Sequence, residues 1–216
     1  MLEMIAMGGF LRLHRLEITT LTLEHIWLVA ISMSIAVLVG VPVGIWLTRS
    51  PKWREPVIGG ANVIETIPSL ALFGFLLPAP WLGARADRIA ITALALYALL
   101  PIIRNTYVAI AGVDPGVHEA ARGMGMTSRQ LLWHVELPLS LSVILAGIRT
   151  ATVLSIGIAT IAAAIGAGGL GEFIFRGLAM VNDSLILAGA IPAAILALAA
   201  DLGLGWLEAR LRPPHA

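Results

Sequence analysis

The 216 residues are 58% hydrophobic and only 12% charged, with a formal net charge of +1 and a mean hydropathy of +0.92. A soluble domain carries about a quarter charged residues, so this chain lacks the polar surface to face water, and the bilayer is its expected solvent. Near-neutral charge excludes a nucleic-acid binder, which would carry a basic patch, and the absence of cysteine removes disulfides, thiolate zinc sites and iron–sulfur clusters.

Residues 1–24 mix Glu3, Arg12, Arg15, Glu17 and Glu24 with apolar residues, which is not the pattern of a cleavable signal peptide. They are expected to form an amino-terminal extracytoplasmic segment. Five segments then approach the 20 or so apolar residues that a span requires. The first is His25 to Thr48, and the second, Val57 to Pro80, contains Glu65. The third, Ile89 to Ile110, contains Arg104; the fourth, Leu137 to Ile165, contains Arg149; the fifth, Leu185 to Leu207, contains Asp201. One transmembrane domain over residues 25–207 is predicted, with a tail at 208–216. The fold class is an all-α integral membrane protein of about five transmembrane helices.

An odd number of spans puts the termini on opposite sides. With the amino terminus outside, the inner segments hold Arg49, Lys52, Arg54, Arg104, Arg122, Arg129, Arg210 and Arg212, and the outer ones Arg12, Arg15, Arg85, Arg88 and Arg176. Basic residues favour the inside, so this orientation is expected, with a cytoplasmic carboxyl terminus. Trp27 and Trp81 would mark the outer interface, and Trp46, Trp53 and Trp206 the inner one. Pro42, Pro68, Pro101 and Pro192 punctuate the spans, and Gly40 with Gly44 forms a small-xxx-small pattern that permits close helix contact.

Between the third and fourth spans, residues 113–136 have legible local physics. Asp114 or the turn at Pro115 can start a short helix that ends at Gly123-Met124-Gly125. Thr127 with Gln130 makes a capping-box pattern for a second helix, and Pro138 stands at the mouth of the next span, where a missing amide donor is cheap. The expectation is a helix–turn–helix elbow at the membrane surface.

Glu119, Ala120, Ala121, Gly125, Val135, Leu137 and Pro138 fall at the spacing of the cytoplasmic signature loop of binding-protein-dependent ATP-binding-cassette permeases, which this loop resembles; Val135 stands where the pattern favours isoleucine. Residues 62–74 and 98–107 and the stretch Ile165 to Gly171 resemble the osmoprotectant branch of that family, importers of glycine betaine, choline, carnitine and related quaternary ammonium compounds. The resemblance implies a fold like the methionine-importer permease core and location in a prokaryotic cytoplasmic (inner) membrane. It implies two ATPase subunits, a second permease subunit and an extracytoplasmic substrate-binding protein as partners, besides membrane lipid. A fused binding domain is not expected. The elbow becomes a coupling helix docking in a cleft of the ATPase, through Asp114, Pro115, His118, Glu119, Ala120, Ala121, Gly123, Met124, Gly125 and Met126. Ala120 and Ala121 allow close approach, Glu119 can pair with a basic group, and Gly125 permits the turn.

Ionisable groups inside spans are expensive and usually face a bundle interior or a cavity. Glu65, Thr66, Pro68 and Ser69 could line a translocation path, along with Arg104, Asn105, Arg149 and Thr150. Glu65 would suit a cationic head group; alternatively it pairs with Arg104 or Arg149. Asp201 could hold Arg49 or Arg54. Gly166 to Gly171 matches a dinucleotide fingerprint letter for letter, but it follows a membrane span rather than a strand. A turn at an outer gate, with Gly168 and Gly169, fits it better, and plain turn chemistry remains the alternative.

No Gly-Lys-Ser/Thr loop is present, so ATP hydrolysis is expected in a separate subunit. Five scattered histidines make no ligand cluster, Arg122 occupies the second-histidine position of a zincin pattern, and no Gly-x-Ser-x-Gly occurs. Neither cofactor nor metal is expected. The expected function is an importer permease; a permease for methionine or another small solute, and a secondary transporter without an ATPase, remain alternatives.

Overall fold

The computed structural model describes residues 14–211 except 84, and the described residues are helices and short connections without strands. In chain order they are α1 (Arg15–Arg49), α2 (Pro51–Thr66), α3 (Ser69–Leu76), α4 (Ala86–Ala111), α5 (Pro115–Gly123), α6 (Ser128–Leu131), α7 (Leu137–Ala162), α8 (Gly171–Met180) and α9 (Asp183–Arg210). A π turn, Leu132–Glu136, joins α6 to α7, and single 3₁₀ turns occupy Pro80–Leu82 and Ala163–Ile165. Four segments are long and apolar enough to cross a bilayer: α1, α4, the run Ser128–Ile165 and α9. These match four of the five expected spans. The first begins earlier than its apolar run, because Arg15 to Glu24 continue the same helix; the start of the amino-terminal segment and the end of the tail lie outside the described residues.

The remaining expected span, Val57 to Pro80, is not one helix. α2 and α3 meet at an angle of 102°. Proline disfavours helical backbone in the residue before it and has no amide to give, so Pro68 holds Ile67 extended at φ −69°, ψ 127°. The Ile67 carbonyl freed by the break accepts a hydrogen bond from the Tyr97 hydroxyl of α4, the kind of internal partner a break in lipid requires.

Helix directions make that bent pair a crossing. Gly40 abuts Ile102 and Gly44 abuts Thr106, so α1 and α4 run parallel. His25 meets Ile156 and Arg49 meets Glu136, so α7 runs against α1. The chain must therefore return from the end of α1 to the start of α4, and α2 with α3 makes that return. α9 runs against α7, with Gly205 at Arg149 and Leu196 beside Ile156. Helix α4 is central: Ile89, Ala90, Ala93, Leu94 and Ile102 are fully buried, together with Phe73 of α3. Trp27, Trp46, Trp53, Trp81 and Trp206 all lie on the surface.

Candidate functional site: the elbow and the broken span

The elbow forms as its residues dictate. Asp114 caps α5, its carboxylate accepting from the amides of Gly116 (2.7 Å) and Val117 (3.3 Å), while Pro115 takes a first-turn position whose amide would be unpaired anyway. The helix ends at Gly123; Gly125 at φ +82° turns the chain and the Met126 amide reaches back to the Ala121 carbonyl at 3.2 Å. The Thr127 capping box is closed in both directions, with the Thr127 amide donating to Gln130 Oε1 at 2.9 Å and the Gln130 amide to Thr127 Oγ1 at 3.3 Å.

α5 is a lever laid on the bundle, not buried in it. Of its residues Ala121 alone is buried, while Val117, Glu119, Ala120 and Arg122 are exposed, as is Met124 beyond its end, at 72%. Val117, Ala120 and Met124 recur at helical spacing and make a small apolar stripe on the outer face. The expectation for the two alanines therefore divides. Ala120 is available for close approach by a partner, whereas Ala121 packs inward because it lies one residue, about 100° of helix, further round.

Sequence reasoning missed Glu136. This carboxylate is almost fully buried, with 3% of its side chain exposed, and it accepts from Arg49 Nη2 at the end of α1 and from His118 Nε2 of α5 at 3.1 Å. Its position comes from Pro138, whose ring would clash with the carbonyl four residues earlier, at His134. The wider π turn over Leu132–Glu136 relieves that conflict and turns Glu136 inward. The signal that could have found it was an acid at the mouth of an apolar span, in the variable place between Val135 and Leu137.

The in-span charges are distributed differently from expectation. Arg149 donates to Asp201 at 2.6 Å (Nε) and 3.1 Å (Nη2), and to Glu208 at 3.3 Å. Asp201 is thus held by Arg149, not by Arg49 or Arg54: α7 and α9 lie side by side, Arg49 is taken by Glu136, and Arg54 lies over the Tyr107 ring at 4.9 Å. Glu65 pairs with neither Arg104 nor Arg149. It is exposed in the last turn of α2, with no hydrogen bond or ion pair among the described residues. That places a carboxylate at the negative end of a helix, an unfavourable position that an organic cation would relieve. Thr66 and Pro68 are exposed beside it and Ser69 is half-buried; Arg104 and Thr150 are exposed, and Asn105 donates to the Pro101 carbonyl at 2.7 Å.

At the opposite end from the elbow, Gly166, Gly168 and Gly169 take positive φ (79°, 85° and 82°) before α8. The Gly169 amide donates to Glu24 of α1 at 3.2 Å, and His25 lies beneath, donating from Nε2 to the Ile156 carbonyl at 3.1 Å. The glycine loop is therefore pinned across α1 and serves no strand.

With this geometry in view, comparison with known proteins is specific. The model of the binding-protein-dependent transport system inner membrane component family matches residues 40–213. The chain belongs to that family. Among its relatives are a carnitine transport permease protein, OpuCB, of Listeria monocytogenes (50% identical, covering 89% of this chain and 87% of that protein) and an osmoprotectant import permease protein, OsmW, of Salmonella typhimurium (44%, covering 90% of each). A choline transport system permease protein, OpuBB, of Bacillus subtilis is 44% identical over 94% of this chain and 93% of its own. Among solved structures, an inward-facing conformation of the MetNI methionine ABC transporter superposes with a TM-score of 0.80 at 24% identity, covering 88% of this chain and 94% of that one. That match shows the fold, and it is the methionine-importer permease fold expected from sequence.

Proposed function

We propose that the chain is the membrane-spanning permease subunit of an ATP-driven importer for a small quaternary ammonium osmoprotectant such as glycine betaine, choline or carnitine. The observation that carries this reading is identity of 44–50% to carnitine, osmoprotectant and choline permeases across nearly the whole length of both partners. Two permease subunits work on two separate ATPase subunits, and an extracytoplasmic binding protein delivers the solute. The amino terminus lies outside and the elbow in the cytoplasm, in keeping with the basic end of the bundle formed by Arg49, Lys52, Arg54, Arg122, Arg129 and Arg210.

The mechanism is alternating access. Closure of the ATPase pair on ATP draws in α5, whose exposed face, with Glu119 and the stripe Val117, Ala120 and Met124, suits a cleft that is apolar inside and basic at its rim. Along the path, Glu65 at the α2–α3 break offers a fixed negative charge to a cationic head group, with Thr66 and Ser69 as polar neighbours. The Gly168–Gly169 loop stands at the outer mouth. In the Arg149–Asp201–Glu208 cluster one guanidinium serves two carboxylates, and it holds α7 to α9.

Reconstitution of permease, ATPase and binding protein in vesicles tests the reading. ATP-dependent uptake of labelled betaine, choline or carnitine is expected. Uptake that needs no ATPase and follows a sodium or proton gradient would overturn it, as would transport of methionine in place of these solutes. The sequence has no cysteine, so Met124→Cys gives a single label site. An impermeant maleimide should not reach it from outside intact cells.

A further inference from the structure

The face that α5 turns toward the bundle is sparse. Ala121 is its one buried residue, and His118, three positions earlier on the same face, makes the polar contact to Glu136. Glu136 is shared: one carboxylate oxygen faces His118 of α5 and the other faces Arg49 at the end of α1, while its backbone stands at the entrance to α7. A buried carboxylate needs donors on both sides, so it fixes the three chain segments relative to one another. Beside this contact a cleft of about 680 Å³ opens between the ends of α1 and α4 and the inner side of α5, with Tyr107, Glu119 and Arg122 also at its walls. The lever therefore has room to move and few contacts that carry its movement.

We propose that Glu136 is the positioning residue of energy coupling: its paired hydrogen bonds to His118 and Arg49 deliver displacement of α5 to α1 and α7 together. This rests on the reading of α5 as the ATPase-docking helix. Arg49 supplies the opposing charge beside the buried carboxylate, and His118 is the movable end. With the latch broken, α5 would still meet its partner through Glu119 and the exposed stripe, but the motion would be spent in the loop.

The test uses the complete transporter in vesicles and reads ATP hydrolysed per solute imported. Glu136→Gln keeps the volume and loses the charge. The ATPase should still co-purify, and the ATP cost per solute should rise about tenfold, within the ordinary range of coupling between sites. Glu136→Asp should recover part of the coupling. Spin labels at Met124→Cys and Trp46→Cys should give a broader distance distribution in Glu136→Gln than in the wild-type latch. If Glu136→Gln does not assemble, His118→Ala removes only the α5 side, keeps the Arg49 pair and is read in the same way. An unchanged ATP-to-solute ratio with an unchanged distance distribution, in whichever of the two assembles, overturns the proposal. Glu119→Lys separates the two ideas. If it leaves ATPase association intact, the docking reading fails; if it abolishes association while the latch variants couple normally, the latch alone fails.

Discussion

Gly44→Ala tests a close seam in the bundle, that of α1 on α4. A Cβ there would stand 2.6 Å from Cβ and 2.8 Å from Cγ2 of Thr106, and 2.9 Å from the Ile103 carbonyl oxygen. Ordinary contact between carbon atoms begins at about 3.5 Å, so α1 and α4 would have to part by nearly 1 Å. Thr106 is fully buried and the second obstacle is backbone, so neither neighbour can swing away. Overpacking of this kind costs about 1–3 kcal/mol, against which alanine recovers at most about 1 kcal/mol of helix propensity. The net expectation is a loss of about 1–2 kcal/mol. Gly203→Ala is the internal control: it too is in a helix, nothing lies within 4 Å of its Cβ, and it should be neutral or stabilising by up to about 1 kcal/mol. Denaturation midpoints of the two purified permeases in one detergent compare them directly. Gly44→Ala at or above the Gly203→Ala midpoint would refute the claim that the α1–α4 seam is packed to its limit.

Three further changes probe function. Glu119→Lys should leave stability within about 0.5 kcal/mol, since the side chain is exposed. It should weaken ATPase association by about thirtyfold or more in a titration, because a docked charge pair is broken and reversed; loss of stability on the same scale would make Glu119 structural instead. Glu65→Gln should raise the KM for a quaternary ammonium solute about five- to tenfold with little change in the melting midpoint, as removal of one exposed countercharge implies; an unchanged KM would remove Glu65 from the path. Gly169→Ala forces an alanine to φ +82° and sets its Cβ 3.1 Å from His25 Nδ1. The strain is about 1–2 kcal/mol, and amide exchange over residues 166–171 should speed up accordingly; unchanged exchange would show that the loop is not held by this contact.

Local chemistry was legible in the sequence and tertiary pairing was not. The Asp114 cap, the Thr127–Gln130 box and the Gly125 turn each depend on residues a few positions apart, so spacing alone specifies them. Four of the spans were legible for the same reason, since length and hydropathy suffice. Pro68 marked the break in the second expected span, but the 102° bend depends on how α3 packs on α4, with Phe73 buried in the core and the Tyr97 hydroxyl on the Ile67 carbonyl. The partners of the in-span charges needed helix adjacency. Arg149 faces Asp201 because α7 neighbours α9, which no spacing rule states, and Glu136 meets Arg49 across 87 positions.

Stiffness is divided along the chain in a way that follows from these contacts. Where α1 lies on α4, Gly40 and Gly44 bring backbone directly against Ile102 and Thr106, so a push at one helix is passed to the other. Where α5 meets the bundle, one small apolar side chain and one shared carboxylate make the connection, and the rest of the helix faces outward. A helix buried by many apolar contacts could not be displaced by the modest free energy of docking, and one with no specific contact would transmit nothing. A polar latch resolves that conflict, because hydrogen bonds to a buried charge are directional and hold a fixed geometry while leaving few contacts to be remade. The same logic explains why the latch lies at the entrance to α7 and not deep within a span. There the π turn can supply the carboxylate without breaking the continuous helix that the bilayer demands.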